Sequence, residues 1–224
     1  MSDFIASYTN LQHKIKQLAL KNHTHPACLI AVSKHFPITS IQAAYDAGQR
    51  DFGENYIQEW SDKWRQLPDD IVWHIIGNIQ SNKTKEVAQR ADWVHSISRL
   101  KIAQRLSDQR PSHLAPLNIC IEINIAKEPQ RHGIAPEELL DLASSVASLP
   151  NLKLRGLMCV ASDADHEMVA KQMQQMQQLF LQYQNRFHWD TLSMGMSSDW
   201  EIAMAYGATH IRIGSALFGQ RIYQ

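Results

Sequence analysis

Short apolar runs recur eight times along the chain, each followed by a loop and an amphipathic segment, and this alternation restricts the possible folds more than any other feature. The predicted strands occupy residues 28–34, 51–55, 72–77, 92–97, 117–124, 152–160, 191–194 and 209–214. The predicted helices after them cover 38–48, the stretch up to 66, 82–90, 98–109, 136–148, 165–184 and 198–206, followed by a closing turn at "SALFG". Short strands alternating with helices favour parallel pairing through right-handed crossovers. Eight such units predict a single (β/α)8 TIM barrel, an α/β fold, with an extra N-terminal helix over 4–21.

An open, doubly wound sheet is the alternative architecture. It usually has fewer strands, and no GxGxxG motif follows the first strand to support a dinucleotide site. No Pro/Gly/Ser-rich linker, charge block or low-complexity tract divides the chain. We therefore expect residues 1–224 to form one domain.

Charge and hydropathy restrict the partners. The 22 Lys and Arg residues balance 22 Asp and Glu residues, so no global field attracts nucleic acid or an anionic membrane. No run of about 18 apolar residues is present, and the N-terminus lacks the apolar centre of a secretory signal. Cys28, Cys120 and Cys159 lie in separate apolar segments without zinc spacing, which is typical of buried thiols in a reducing compartment. The sequence predicts a cytoplasmic protein that binds neither nucleic acid nor membrane.

The first predicted strand ends in a lysine. In "LIAVSK", Lys34 stands where the apolar run stops, which in a barrel is the edge that carries catalytic and binding groups. Apolar walls disfavour the charged ammonium, and the free amine can then attack a carbonyl to form a Schiff base. The alternative is that Lys34 caps the strand and extends to water.

The loops after the seventh and eighth strands both carry serines at predicted helix starts. "SMGMSSDWE" contains Ser197, and its Ser198 and Glu201 have the spacing of a capping box, while "RIGSALFG" contains Gly214 and Ser215. In barrels, hydroxyls, amides and helix N-termini of these two loops often hold a phosphate. The alternative for each serine is an ordinary helix cap, but their adjacency in a closed barrel favours phosphate binding.

Arg212 lies on the eighth strand. Alternation places Arg212 and Gly214 on one face and Ile211 and Ile213 on the other. If Arg212 points into the barrel it needs an acceptor, because a buried unpaired guanidinium is very costly. If it points outward it is a solvated charge, and alternation alone leaves both orientations open.

A phosphate site, a Schiff-base lysine and a neighbouring arginine together describe a pocket for pyridoxal 5'-phosphate (PLP). The chain resembles the YggS/PROSC family of PLP-binding homeostasis proteins, which are similar to the N-terminal barrel of bacterial alanine racemase. The segments that carry the resemblance are "AVSK" (31–34), "FGENYIQE" (52–59), "WHIIGNIQSNK" (73–83), "INIAKEPQRHGI" (123–134), "RGLM" (155–158) and "LSMGMSSDWEIAMAYGATHIRIGSALFGQRIY" (192–223).

The resemblance implies a role for six residues. Lys34 forms the internal aldimine, a Schiff base with the cofactor aldehyde. Asn55, in "GEN", lies beside the cofactor ring, and Arg212 faces the pyridine nitrogen. The residues that hold the phosphate are Ser197, Gly214 and Ser215.

The same resemblance indicates how much catalytic activity to expect. A guanidinium has no acceptor lone pair and opposes protonation of the ring nitrogen, which makes the cofactor a weaker electron sink. Racemases of this type add a tyrosine base from a further domain, whereas this chain ends at Gln224, directly after the eighth unit. We therefore expect a PLP homeostasis protein that buffers or delivers the cofactor with little or no catalysis. The alternative is a single-domain PLP-dependent amino-acid racemase or lyase.

The expected partners are PLP and apo PLP-dependent enzymes, and the expected state is a monomer or weak dimer.

Several other polar residues are assigned structural roles. His74 is predicted to be a satisfied core histidine. Asp163, Asp165 and His166 are predicted to lie at a helix start, where acids act as caps, rather than to bind a metal. Phe36 stands where relatives often have a second basic residue, so an auxiliary basic role is not expected there.

Overall fold

Eight parallel strands close into a barrel in sequence order. The computed structural model describes residues 2–162 and 165–219, with side chains from Phe4 onward. Pairing of β1 with β8, in which Ile30 lies opposite Arg212, completes the closure and confirms the predicted barrel. The strands are β1 (Cys28–Val32), β2 (Asp51–Glu54), β3 (Val72–Ile75), β4 (Trp93–Ile97), β5 (Leu117–Ile123), β6 (Leu152–Cys159), β7 (Thr191–Ser193) and β8 (His210–Ile213).

Helices alternate with these strands and begin after an additional N-terminal helix. They are α1 (Ser2–Lys21), α2 (Ile38–Asp46), α3 (Ile57–Trp64), α4 (Thr84–Arg90), α5 (Leu100–Gln109), α6 (Leu139–Ala147), α7 (His166–Phe187), α8 (Trp200–Ala205) and α9 (Ser215–Phe218). The helix predicted over 136–148 begins instead as a 3-10 turn at Pro136–Glu138. No helix within the described ranges is both long and apolar enough to cross a bilayer.

The first strand ends two residues earlier than predicted. Ser33 still donates its backbone N–H to Gly53 at 3.0 Å, but the carbonyl of Ser33 accepts a turn hydrogen bond from the Phe36 backbone at 3.1 Å. His35 then takes a left-handed conformation with φ 66°. Lys34 therefore lies in the turn at the rim of the barrel rather than in the strand.

The strands bury different residues on their two faces because successive side chains alternate. Outward-facing residues such as Leu29, Ala31, Ile211 and Ile213 belong to the large core between the strands and the helices. Part of the barrel interior is filled by a separate apolar cluster of Trp93, Cys120 and Met158. Polar side chains, among them His74, His95, Ser193 and Arg212, also lie in the interior and lead to the site.

Phe36 connects the first loop to both ends of the described chain. Phe218 of α9 stacks on Phe4 of α1 at 5.3 Å between ring centroids and packs on Phe36 at 5.0 Å. Phe36 is buried in this contact. An aromatic side chain at this position therefore joins α1 and α9 to the loop that carries Lys34.

Candidate functional site

One cavity of about 500 Å³ collects all six predicted site residues at the carboxyl ends of the strands. Lys34 and Asn55 follow β1 and β2, Ser197 follows β7, and Arg212 belongs to β8. The remaining members are Gly214 and Ser215. The apolar part of the wall is Val32, Ile76, Val160 and Met196. Groups from opposite ends of the chain meet here because barrel closure places β1 beside β8.

The turn that carries half-buried Lys34 is held by a buried ion cluster, which the sequence did not reveal. The Lys63 ammonium on α3 donates to the Ser33 carbonyl at 2.7 Å, to Glu54 Oε1 at 2.7 Å and to Glu59 Oε1 at 2.6 Å. Glu54 also accepts from Ser33 Oγ at 2.7 Å, and Glu59 accepts from the His35 backbone at 2.6 Å. The residues on both sides of Lys34 are thereby fixed.

Burial and charge act in opposite directions on Glu54. Burial raises the pKa of this carboxyl above its ordinary value, and the Lys63 ammonium partly offsets that effect. Glu54 Oε2 is buried without a hydrogen-bond partner, so the cluster depends on Lys63. A buried ion cluster of this kind is strongly destabilised when one partner is removed.

Arg212 points into the barrel, which resolves the orientation that alternation left open. Its Nη1 donates to Ser193 Oγ at 2.8 Å and its Nη2 donates to the Cys159 carbonyl at 2.8 Å. Burial lowers the pKa of Arg212 from its ordinary value, but a guanidinium remains charged in proteins. Among the described residues no carboxylate forms a salt bridge with it. The cavity therefore contains a cationic donor that is held by neutral acceptors.

Two hydroxyls meet at the end of the cavity formed by the last two loops. Ser215 Oγ donates to Ser197 Oγ at 3.4 Å. The predicted capping box at Ser198 is wrong, because Asp199 is the N-cap residue of α8 and its carboxylate accepts from the Met196 backbone at 2.5 Å. Helices α8 and α9 have only six and four residues, so hydroxyls and loop amides, rather than helix dipoles, supply the polar groups here.

Asn55 is positioned by close backbone packing. A Cβ on Gly77 would lie 2.3 Å from the Asn55 carbonyl oxygen, so only glycine permits this approach. The Gly77 carbonyl in turn accepts from Ser96 Oγ at 2.6 Å. These contacts fix the backbone of Asn55 at the cavity wall.

A second cavity of about 540 Å³ adjoins the first and shares Asn55, Ile76 and Val160 with it. Its lining includes Glu122, a buried carboxyl that the sequence analysis missed. Burial raises the pKa of Glu122 to about 7, opposed by the positive charge of Arg212. The sequence could have indicated this burial, because the alternation of "CIEIN" places Glu122 on the same strand face as Cys120.

The structural roles predicted for other polar residues also appear. His74 is buried and both of its ring nitrogens have partners. Asp165 is the N-cap of α7 and accepts from the Met168 backbone at 2.9 Å, while Asp163 lies outside the described residues. Cys120 and Cys159 are buried, and Cys28 is only partly covered.

This fold is that of an alanine racemase-type barrel. The family model described as "Alanine racemase, N-terminal domain" matches residues 7–222. The alanine racemase of Corynebacterium glutamicum shares the fold at a TM-score of 0.76, covering 100% of this chain and 62% of that chain at 15% identity.

Relatives along the full length narrow the assignment. A "Pyridoxal phosphate homeostasis protein" of Pseudomonas aeruginosa is 46% identical over 100% of this chain and 98% of its own length. The protein of the same name from Escherichia coli is also 46% identical, over 100% of this chain and 99% of its own length. The structure of PipY from Synechococcus elongatus without PLP is similar at a TM-score of 0.87 and 32% identity, covering 96% of this chain and 100% of that chain. A second PipY structure, with PLP bound, has a TM-score of 0.79 and 35% identity, and the match covers 90% of this chain and 97% of that chain. The chain belongs to the alanine racemase N-terminal domain family and, within it, to the pyridoxal phosphate homeostasis proteins.

Proposed function

We propose that this chain binds PLP in the cavity that contains Lys34 and acts in PLP homeostasis, by buffering or delivering the cofactor. The observation that carries the proposal is the convergence of a lysine, a buried arginine and two loop hydroxyls on one cavity. The names of the full-length relatives and the PLP in a PipY structure point to the same ligand.

The residues present fit this cofactor. The cavity volume of about 500 Å³ lies within the range of small-molecule sites. Ser197, Ser215 and the backbone at Gly214 supply donors for a phosphate, and Asn55 lies on the wall between the two cavities. Arg212 offers donors to a ring nitrogen, and its hydrogen bonds go to neutral acceptors, with no carboxylate in salt-bridge contact among residues 2–162 and 165–219.

The roles of Lys34 and Arg212 follow from their chemistry. PLP supplies an aldehyde and an electron-accepting ring when it is bound. Lys34 would supply the amine that condenses with this aldehyde with loss of water, and hydrolysis of that bond would return the free amine and the cofactor. Arg212 remains a donor and opposes the addition of a proton to the ring nitrogen, which weakens the ring as an electron sink.

Limited catalysis is part of the proposal. Among the described residues that line this cavity, the titratable side chains are Lys34 and Arg212, and the latter stays charged. One lysine is then available to move a proton, whereas racemisation needs a proton donor and acceptor on opposite faces of the substrate.

The proposal takes residues 1–224 as one PLP-binding domain that is a monomer or weak dimer. Its partners would be apo PLP-dependent enzymes in the cytoplasm.

The test uses purified protein incubated with PLP, reduced with borohydride, digested and analysed by mass spectrometry. We expect a visible absorption band before reduction and, after reduction, an adduct on Lys34. Both should be lost in Lys34→Ala and retained in Lys85→Ala, which removes an exposed lysine of α4. An adduct on another residue, or none with excess PLP, would contradict the site.

A second candidate function, a single-domain racemase or lyase, is favoured by one observation. Glu122 in the adjoining cavity has a pKa of about 7, which suits a general acid or base. Loss of α-deuterium from labelled alanine or serine distinguishes the functions. Exchange at enzyme-like rates that Glu122→Gln abolishes would establish catalysis, whereas slow exchange unaffected by the substitution fits homeostasis.

A further inference from the structure

A chain of polar side chains crosses the barrel interior below the cavity. Asp51 Oδ1 lies 3.0 Å from His74 Nε2, and His74 Nδ1 lies 2.9 Å from His95 Nε2. His95 Nδ1 lies 2.9 Å from Ser193 Oγ, which accepts from Arg212 Nη1 at 2.8 Å. The contacts pass from β2 to β3 and β4, then cross the barrel to β7 and β8.

The members of this chain are shielded from water. His74, His95 and Ser193 have no exposed surface, and Arg212 is 4% exposed. Only Asp51, at the amino end of β2, is partly exposed. A buried polar network is favourable only when its members are satisfied, and here each ring nitrogen and the hydroxyl has a partner.

The two ends impose a direction on the hydrogen bonds. Arg212 can only donate, and an ionised Asp51 can only accept. Burial alone raises the pKa of Asp51, but hydrogen bonding, first of all with His74, acts in the opposite direction, and the pKa lies below its ordinary value. Burial, reinforced by the positive charge of Arg212, holds the pKa of His95 well below its ordinary value. His95 is therefore neutral, with one donor nitrogen and one acceptor nitrogen.

In the arrangement in which His74 is neutral as well, every hydrogen points toward Asp51. Ser193 accepts from Arg212 and donates to His95 Nδ1, while His95 Nε2–H donates to His74 Nδ1. His74 Nε2–H then donates to Asp51. Both histidines carry their hydrogen on Nε2 in this arrangement.

We propose that Asp51, His74, His95 and Ser193 form a directional hydrogen-bond relay that positions the Arg212 guanidinium for the cofactor ring. These four are positioning residues, since only Arg212 lines the cavity. Without Ser193, the Cys159 carbonyl is the acceptor that remains for Arg212 among the described residues, and the guanidinium can rotate about that contact. The inference rests on the proposed function for the identity of the ligand.

His210 provides a matched control inside the same interior. Its ring centroid lies 6.3 Å from that of His74 and 6.1 Å from that of His95, but its Nδ1 bonds Thr209 Oγ1 at 2.9 Å. It is therefore a half-buried histidine next to the relay and outside it. Its substitution tests whether any polar change in this interior has the same effect.

The first experiment measures the histidine tautomers in the 15N-labelled protein without cofactor, by long-range 1H–15N NMR. We expect His74 and His95 each to show a protonated Nε2 and an unprotonated Nδ1 at neutral pH. A hydrogen on Nδ1 of His95 would overturn the direction of the relay. This measurement uses the wild-type chain, so it does not depend on whether a variant folds.

The second experiment measures PLP dissociation constants by absorbance titration. We expect Ser193→Ala to weaken binding about tenfold, Ser193→Thr to restore it, and His210→Gln to change it less than about twofold. In an Arg212→Met background, Ser193→Ala should have no further effect. An equal loss in both backgrounds would mean that Ser193 acts independently of Arg212 and would refute the positioning role. If the wild-type chain binds no PLP, the proposed function fails. The tautomer measurement, made without cofactor, still tests the direction of the relay.

Discussion

Glu122 shows how one buried side chain links stability to pH. The residue is 9% exposed, and burial raises the pKa of its carboxyl from 4.5 to about 7. Between these values the folded protein holds a proton that the unfolded chain has released, so stability falls as the pH rises through this window. Above about pH 7 the folded protein carries the full cost of a buried carboxylate.

Replacing Glu122 with Gln should remove that cost. We expect Glu122→Gln to raise the free energy of unfolding at pH 8 by about 2–3 kcal/mol and to change it little at pH 4, where both states are protonated. Urea denaturation at the two pH values measures this, with Glu137→Gln as the exposed control. The same small change at both pH values would contradict the raised pKa.

At the scale of elements, one helix side chain determines the end of the first strand. Lys63 lies on α3, yet its ammonium joins the carbonyl after β1 to carboxylates from β2 and α3. Its side chain is only 7% exposed, so solvent screens the cluster weakly. The geometry of the Lys34 turn therefore depends on the packing of α3 against β2.

Lys63→Met should leave Glu54 buried and unpaired. We expect a loss of roughly 3–5 kcal/mol in the free energy of unfolding, since breaking a buried ion pair strands a charge. Lys101→Met, an exposed helical lysine on α5, should stay within about 0.5 kcal/mol. Chemical denaturation compares the two variants, and similar losses would show that the cluster contributes little.

For the whole molecule, the decisive feature is closure of the barrel without a free sheet edge. Strand β7 has three residues, and β6, β7 and β8 must approach closely to complete the ring. Gly156 on β6 has φ +152°, and a Cβ there would lie 1.9 Å from the Thr191 carbonyl oxygen. A glycine at this position permits the close approach of β6 and β7.

Gly156→Ala should therefore strain this part of the barrel. We expect a loss of about 3 kcal/mol or more, because the clash is with backbone that cannot move aside. Gly48→Ala, at φ +100° with no atom within 4 Å of the added Cβ, should cost only about 1 kcal/mol from backbone strain. Urea denaturation midpoints measure both changes, and equal losses would argue against a steric role at Gly156.

The alternation of apolar runs and amphipathic segments was sufficient to predict eight strands, their order and the closed barrel. It also placed Lys34 and Asn55 as the last residues of predicted strands and Ser197 and Ser215 just after strands, and parallel topology brings all four to one end. Errors occurred at element ends, as at Ser198, where Asp199 competes for the same helix start. Local propensity does not distinguish neighbouring capping residues.

The sequence by itself therefore determined which elements form and which polar groups follow each strand, because these depend on local periodicity and chain connectivity. Only the tertiary structure decided that Arg212 points inward and that Lys63 holds the first turn. It also joined His95 to Ser193, 98 positions away, across the barrel. The physical reason is that such contacts depend on the stagger between strands in a closed barrel, which a two-residue alternation leaves undetermined.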